Sequence, residues 1–281
     1  MVTTAIILAG GLGTRLKKTV PSLPKPMAPI LGRPFLEYQM DYWIGQGVNK
    51  FILSIGYLNQ TVTKHFGRRY QEASIDYIIE DKPLGTGGAL LMAAQGLNEP
   101  FLVLNGDTFF EVDLNLLNDF HKQQRSEWTL SLFRANQSER YMGLQLANNG
   151  EIIALESENS DSNLFNGGVY LINPSVFDLL DKPSRGKISL ENDLLPNFIT
   201  SGGVLHGLEC IGKFIDIGLP KTLLRYQYKF HRIAIPLYLA TNGIVALYTN
   251  TIFPAKLARR FALRLTNIIK PFKQIFLQLL R

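Results

Sequence analysis

Up to about residue 133, short apolar runs alternate with amphipathic stretches. The runs predict strands over residues 4–9, 50–55, 75–80, 101–105 and 129–133, and later over 152–155, 168–172, 204–208 and 213–217. The amphipathic stretches predict helices over 35–46, 86–96, 115–124, 174–180, 190–200 and 221–230. Strands apolar on both faces and joined by helices pack as a parallel sheet between helical layers. The expectation is therefore an α/β fold: a Rossmann-like mixed, mostly parallel sheet flanked by helices. Between 140 and 172 the segments shorten and read as an antiparallel insertion. In such sheets the ligand crevice lies beyond the carboxyl ends of the strands.

Composition narrows the class without naming a reaction. A chain of 281 residues, 46% hydrophobic, is long enough for one large or two modest domains and excludes disorder and a disulfide scaffold. The single cysteine, Cys210, forms no internal disulfide, and the start Met1-Val2-Thr3-Thr4 lacks a basic leader region. Both features predict a reducing, cytoplasmic setting.

Charge changes the picture once it is placed along the chain. The net +6 suggests an anionic partner such as nucleic acid, yet nine of the 29 basic residues and none of the 23 acidic ones lie in 226–281. The first 225 residues then carry −3, which removes the support for nucleic-acid binding. We read a body over 1–230 and a basic, apolar to amphipathic helical tail over 231–281. Residues 233–255 hold no charge in 23 positions, but Pro236, Asn242, Gly243, Asn250 and Pro254 make a poor spanning helix. Beyond them Leu257, Phe261, Leu265, Ile268, Phe272, Ile275 and Leu279 form an apolar stripe with Arg259, Arg260, Arg264, Lys270 and Lys273 mostly off it. Such a stripe suits peripheral contact with the inner face of an anionic membrane, or packing on the body or across a homo-oligomer.

Five segments carry candidate chemistry. Leu8-Ala9-Gly10-Gly11-Leu12-Gly13-Thr14-Arg15 follows the first strand, where glycines let successive N–H groups approach an anion. It is neither a dinucleotide fingerprint nor a P-loop. Arg15 and Lys25, the latter held extended between Pro24 and Pro26, supply cations for a polyphosphate. Glu80-Asp81-Lys82-Pro83-Leu84-Gly85-Thr86 reads as a loop capped into a helix at Thr86. Asn105-Gly106-Asp107 and Asp216-Ile217-Gly218 each end an apolar strand in a carboxylate. Two such carboxylates at one sheet edge make a site of the kind Mg²⁺ uses with substrate phosphates. Asn166-Gly167-Gly168 reads, by itself, as a plain turn.

Taken in order, these segments resemble the sugar-nucleotide pyrophosphorylases, nucleotidyltransferases acting on sugar 1-phosphates. The Gly-Gly-x-Gly-Thr-Arg loop, Pro24-Lys25, Pro83-Leu84-Gly85-Thr86, Asn105-Gly106-Asp107, Asn166-Gly167-Gly168 and Asp216-x-Gly218 follow the family order over about residues 3–225. Phe165 to Tyr170 and Leu23 to Pro29 look most like the heptose 1-phosphate guanylyltransferases, with mannose-1-phosphate guanylyltransferases next. The resemblance implies transfer of a nucleotidyl group from a nucleoside triphosphate to a sugar 1-phosphate, with release of pyrophosphate and formation of a nucleotide sugar for glycan assembly. It implies nucleotide contacts from Leu8, Gly10, Gly11, Gly13, Thr14, Glu80, Gly85 and Thr86. Arg15, Lys25 and Asp107 take catalytic places, Asp107 and Asp216 hold Mg²⁺, and Asn105, Glu156, Asn166 and Gly167 meet the sugar.

The base can be argued from chemistry. Pyrimidine-using members typically carry Gln where Glu80 stands. A carboxylate only accepts hydrogen bonds, and guanine offers two adjacent donors, so GTP is expected. Two positions depart from the family: Ser157 replaces a Lys that meets the sugar phosphate, and Met142 replaces a Gly. For the missing cation, Arg134, Arg185 and Lys187 are the substitutes at hand. One alternative is a pyrimidine-using (UTP or dTTP) pyrophosphorylase; the rival in a different class is a catalytically weak or inactive regulatory module on this fold that binds sugar nucleotide without turnover. Retention of Arg15, Lys25, Asp107 and Asp216 speaks against it, since a binder has less need of both carboxylates.

Overall fold

The computed structural model describes residues 2–11, 23–135, 141–156, 163–180 and 186–217. All belong to one compact unit, Met1–Leu224. The helix expected over 221–230 and the tail over 231–281 lie outside the described residues.

In chain order the elements are β1 (Thr4–Leu8), β2 (Pro29–Ile30), β3 (Arg33–Pro34), α1 (Phe35–Ile44), β4 (Lys50–Ile55), α2 (Asn59–Phe66), β5 (Arg69–Tyr70) and β6 (Ala73–Ile79). Then come α3 (Gly85–Ala93), β7 (Phe101–Asn105), β8 (Thr108–Phe110), α4 (Leu114–Gln123), β9 (Trp128–Arg134), β10 (Gly143–Leu146), β11 (Ile152–Glu156) and β12 (Leu164–Ile172). The last are α5 (Val176–Leu179), a π-helical turn (Leu190–Leu194) running into α6 (Leu195–Thr200), β13 (Leu205–Glu209) and β14 (Phe214–Asp216). The main sheet runs β11-β10-β12-β7-β1-β4-β6-β5, with β9 joining β12 to β13. Strands β6, β4, β1 and β7 are parallel, and β12 enters antiparallel to β7. The mixed, mostly parallel sheet is as expected.

The apolar runs are explained by burial on both faces. Ala5 and Ile7 pack with Leu36, Met40 and Trp43 of α1 and Val62 and Phe66 of α2. Ile6 and Leu8 pack on the opposite face with Ala89 and Leu90 of α3 and Leu195 and Phe198 of α6. Alternating residues of one strand thus feed two cores, so no polar face remains to mark the period. Helix α4 starts where Asp113 accepts hydrogen bonds from Asn115 N at 2.8 Å and Leu116 N at 3.1 Å.

Helix α2 was not expected from the pattern. Its Thr61, Val62 and Thr63 are β-branched, Val62 and Phe66 alone are buried, and it starts from Leu58 in a left-handed conformation at φ 54°. Two apolar residues one turn apart hold it on the sheet and leave no longer stripe.

Two histidines lie outside the site, buried beside β9. His121 bonds Thr129 Oγ1 at 2.8 Å and His206 bonds Ser126 Oγ at 3.0 Å. Burial lowers the pKa of both below the ordinary 6.5. Below pH 6.5 the unfolded chain therefore takes up protons that the folded protein refuses. The contribution of the neutral pair is fully present above pH 6.5 and declines as pH falls through that value. The melting temperature should drop between pH 7 and pH 5.5, and His121→Gln with His206→Gln should flatten that slope.

Candidate active site

Register places the site. Leu8, the last residue of β1, lies opposite Asn105 of β7 on one side and Ser54 of β4 on the other. On the far side of β4, Ser54 faces Ile78 of β6. The segments that follow these residues, 9–11, 80–84 and 106–108, leave the sheet along one edge. That is the carboxyl edge at which ligand chemistry was expected.

Glu80 is fixed there from three sides. Its carboxylate accepts Ser54 Oγ at 3.1 Å and Leu84 N at 3.0 Å. Gly10 presses against it so closely that an added Cβ would stand 2.1 Å from Oε1. The backbone here is not left-handed; a methyl at this position would have to displace the Glu80 carboxylate. Gly11 has open room by the same measure, and Gly13, Thr14 and Arg15 lie outside the described residues.

Lys25 begins a single 3₁₀ turn, Lys25–Met27, and its ammonium is ion-paired with Asp107. The Asp107 side chain is 37% exposed and that of Lys25 only 16%. Gly106 N donates to Leu8 O at 3.0 Å, and a Cβ on Gly106 would meet that oxygen at 2.6 Å. The turn carrying Asp107 is thereby locked onto the end of β1.

Asp216 arrives by a different route from the one expected. It lies off the main sheet, on a two-stranded ribbon in which β14 pairs antiparallel with β8, setting Asp216 opposite Thr108. Ile217 N also donates to Asp107 O at 3.0 Å. Asp216 is buried and accepts Tyr141 Oη at 2.9 Å. The Tyr141 ring is wedged edge-on against Phe133 and Phe214, at 5.4 and 5.3 Å between centroids. Removing the hydroxyl in Tyr141→Phe keeps this packing, so the stability loss should be limited to that of one hydrogen bond to a carboxylate, about 1.5–3 kcal/mol. With Asp216 as the Mg²⁺-holding carboxylate expected from the sequence, the Mg²⁺ concentration for half-maximal activity should rise about tenfold or more, the usual loss when a metal-holding side chain loses its hydrogen-bond partner. A metal titration of activity checks it.

Two further expectations need correction. Thr86 does not cap α3: its hydroxyl accepts Leu190 N at 2.8 Å and donates to Glu191 Oε2 at 3.2 Å. The helix start is satisfied by the Ile188 carbonyl, which accepts Gly87 N at 2.8 Å. Gly85, at φ 80°, passes so near that a Cβ would lie 2.3 Å from the same oxygen. Asn166-Gly167-Gly168 is not a turn but an irregularity within β12, where the pairing with β9 shifts register. Gly168 takes φ 71°, and a Cβ there would strike Asn105 Nδ2 at 2.7 Å. Asn166 is buried, donating to Tyr170 Oη at 2.8 Å and accepting Gly168 N at 3.0 Å. Tyr170 in turn donates to Glu191 Oε1 at 3.3 Å, and burial holds its phenol well above the ordinary range. Asn105, Asn166 and Gly167 thus adjoin Thr86 through Tyr170 and Glu191. Glu156 ends β11 opposite Gly143.

Of the substitutes for the cation missing at position 157, Arg134 is committed to Glu209 by two 2.7 Å bonds, Arg185 lies outside the described residues, and Lys187 is exposed. Ser54, Tyr141, Tyr170 and Glu191 were not singled out from sequence. Two of them had a local signal: Tyr141 precedes the departing Met142, and Tyr170 ends the Phe165–Tyr170 segment that carries the resemblance.

The donor set suits Mg²⁺: two hard carboxylates joined by neighbouring strands, with Asn105 Oδ1 a further buried oxygen lacking a partner. Among the described residues no group of three or more His, Cys, Asp or Glu side chains could hold a metal alone. An ion that completes its shell with substrate phosphates fits that arrangement.

The sequence profile described as Nucleotidyl transferase matches residues 4–232. The chain is 40% identical over 226 residues to D-glycero-alpha-D-manno-heptose 1-phosphate guanylyltransferase of Aneurinibacillus thermoaerophilus, covering 79% of this chain and 96% of that one. It is 31% identical over 230 residues to the mannose-1-phosphate guanylyltransferase catalytic subunit beta of Drosophila melanogaster, covering 79% and 61%. The crystal structure of HddC from Yersinia pseudotuberculosis complexed with GMP-PN superposes with a TM-score of 0.69 at 33% identity, covering 82% of this chain and all of that one.

Proposed function

The chain belongs to the nucleotidyl transferase family, and from that membership we propose that it transfers GMP from GTP to a heptose or mannose type sugar 1-phosphate. The observation that carries this reading is the Lys25–Asp107 pair beside Asp216, on the edge where Glu80 is immobilised. The first three groups suit a triphosphate with its metal, and the fourth suits guanine.

An oxygen of the sugar phosphate attacks the α-phosphorus in line as the bond to the bridging oxygen of pyrophosphate breaks. The attacking group is already an anion at neutral pH, so no general base is required. The described histidines agree, since His65 is bound to Glu37 on the surface and His121 and His206 lie beside β9. What the residues supply is position and charge. Lys25 passes from Asp107 to the phosphates when the triphosphate enters, and Arg15 is assigned the same work. Asp107 and Asp216 would hold Mg²⁺, which would neutralise charge on the phosphate oxygens. Gly10, Gly11 and Gly13 admit the nucleotide to the backbone next to Leu8 and Thr14, with Gly85 and Thr86 closing the other side. Asn105, Glu156, Asn166 and Gly167 are assigned to the sugar. Lys187 is our candidate for the cation that Ser157 does not provide.

Pyrophosphate release with Mg²⁺ across four nucleoside triphosphates and a panel of sugar 1-phosphates tests the reading. GTP with a heptose or mannose 1-phosphate should give the highest kcat/KM. Nucleotide binding without turnover on any pair would make the protein a binding module instead.

We place the reaction in the cytoplasm, and 231–281 as a separate region contacting either an anionic membrane or protein. Among the described residues no helix is long and apolar enough to cross a membrane. A chain ending near Phe230 that associates with membranes as well as the full chain does would remove the membrane reading.

A further inference from the structure

Helix α1 turns a polar line toward the chain that carries Asp107. Gln39 and Tyr42 stand three residues apart on one side of the helix, and Gln46 follows in the turn just past its C-terminus. Each bonds the segment between β7 and α4. Gln39 Nε2 donates to Asn105 O at 2.8 Å and to Thr108 O at 2.6 Å. Tyr42 Oη donates to Val112 O at 3.2 Å. Gln46 Nε2 donates to Val112 O at 3.1 Å, and its Oε1 accepts Leu114 N at 2.7 Å.

Gln39 differs from the other two. It is 3% exposed, and its two acceptors are the carbonyls immediately flanking Gly106-Asp107. One amide therefore fixes both ends of the turn that presents the carboxylate. The arrangement has a visible cost, because Gln39 Oε1 is buried with no partner. Turning the amide over would set an oxygen against two carbonyl oxygens, so its orientation is determined. Burying a polar group half-satisfied opposes folding. Such a group asks for an explanation beyond packing.

We infer that Gln39 is a positioning residue for Asp107: it holds the Asn105–Thr108 turn so that the carboxylate meets Lys25 and stands next to Asp216. The inference rests on the proposed role of Asp107 as a metal-holding carboxylate. The turn has other supports, Gly106 N to Leu8 O and Ile217 N to Asp107 O, so loss of Gln39 should misplace it rather than unfold the protein.

The test uses the full chain with Gln39→Met, which removes the donor, and Gln39→Asn, which keeps the amide but shortens its reach. Gln46→Leu is the control, losing bonds of the same kind from the turn that ends α1 to the far end of the same segment. The readouts are kcat and KM for pyrophosphate release, melting temperature, and Mn²⁺ binding by water-proton relaxation with and without GTP. Both Gln39 variants should lower kcat about 10- to 100-fold and weaken Mn²⁺ binding about tenfold, with KM for GTP within about threefold. Gln46→Leu should lower the melting temperature with kcat within about twofold. The inference is overturned if a folded Gln39 variant keeps wild-type kcat and Mn²⁺ affinity, or if Gln46→Leu loses both equally. A wild-type chain inactive on every substrate pair would refute the proposed reaction, while Mn²⁺ binding would still decide the part played by Gln39.

Discussion

Asp107→Asn should reduce kcat for pyrophosphate release by about 10³-fold or more while leaving the fold intact. The Asp107 side chain is partly exposed, its partner Lys25 is largely buried, and asparagine can still accept from the ammonium, so the stability loss should stay within about 1–3 kcal/mol. The amide is nearly the same size, yet it lacks the charge that holds Mg²⁺ against the triphosphate. Removing one preorganised group that faces charge developing in the transition state costs about 10²–10³ in rate. Loss of a metal ligand adds to that. The substitution also frees Lys25, so GTP binding measured without Mg²⁺ should be unchanged or tighter. Calorimetric binding beside single-turnover rates separates the two effects. Near-normal kcat at saturating Mg²⁺ in the Asp107→Asn variant would remove Asp107 from the catalytic set.

Glu80→Gln should collapse base selectivity rather than activity as a whole. Each carboxylate oxygen accepts one protein hydrogen bond and retains a second lone pair, the pair we assign to guanine N1–H and its 2-amino group. In the variant, one oxygen must still satisfy Leu84 N, leaving the amide N–H facing donors. Hydrogen bonds to a charged acceptor contribute about 1.5–3 kcal/mol each, so kcat/KM for GTP should fall about 10²-fold. UTP and dTTP, with one N–H beside carbonyls, should lose little or gain. Gly10→Ala should act in the same direction, because its methyl displaces the Glu80 carboxylate. Side-by-side kcat/KM values for the four triphosphates give the answer, and unchanged GTP preference in Glu80→Gln would refute the base argument.

Most of the sheet was legible in the chain. Strands β4 and β7 match the apolar runs at 50–55 and 101–105 residue for residue, because burial on both faces leaves a mostly apolar signal, broken only by Lys50 and Ser54 in β4 and Asn105 in β7. Glycine and carboxylate at strand ends were equally plain, since a parallel sheet must place its site there. Helix α2 escaped notice because two buried residues suffice to hold it. Thr86 does not cap because it lies inside the first turn of α3, where in the sequence alone a hydroxyl is indistinguishable from a cap, while its partners are Leu190 and Glu191, some hundred residues on.

By itself, then, the sequence determined the sheet, the edge that carries the chemistry, and the residue types gathered there. Only the tertiary structure decided which of them meet. Asp216 reaches Asp107 through the β8–β14 ribbon, Glu80 is clamped by Ser54 and Gly10, and Gln39 spans the Asp107 turn from a helix packed on the sheet. The physical reason is range: periodicity and turn chemistry act over a few residues, whereas a buried polar group finds its partner wherever the fold brings one.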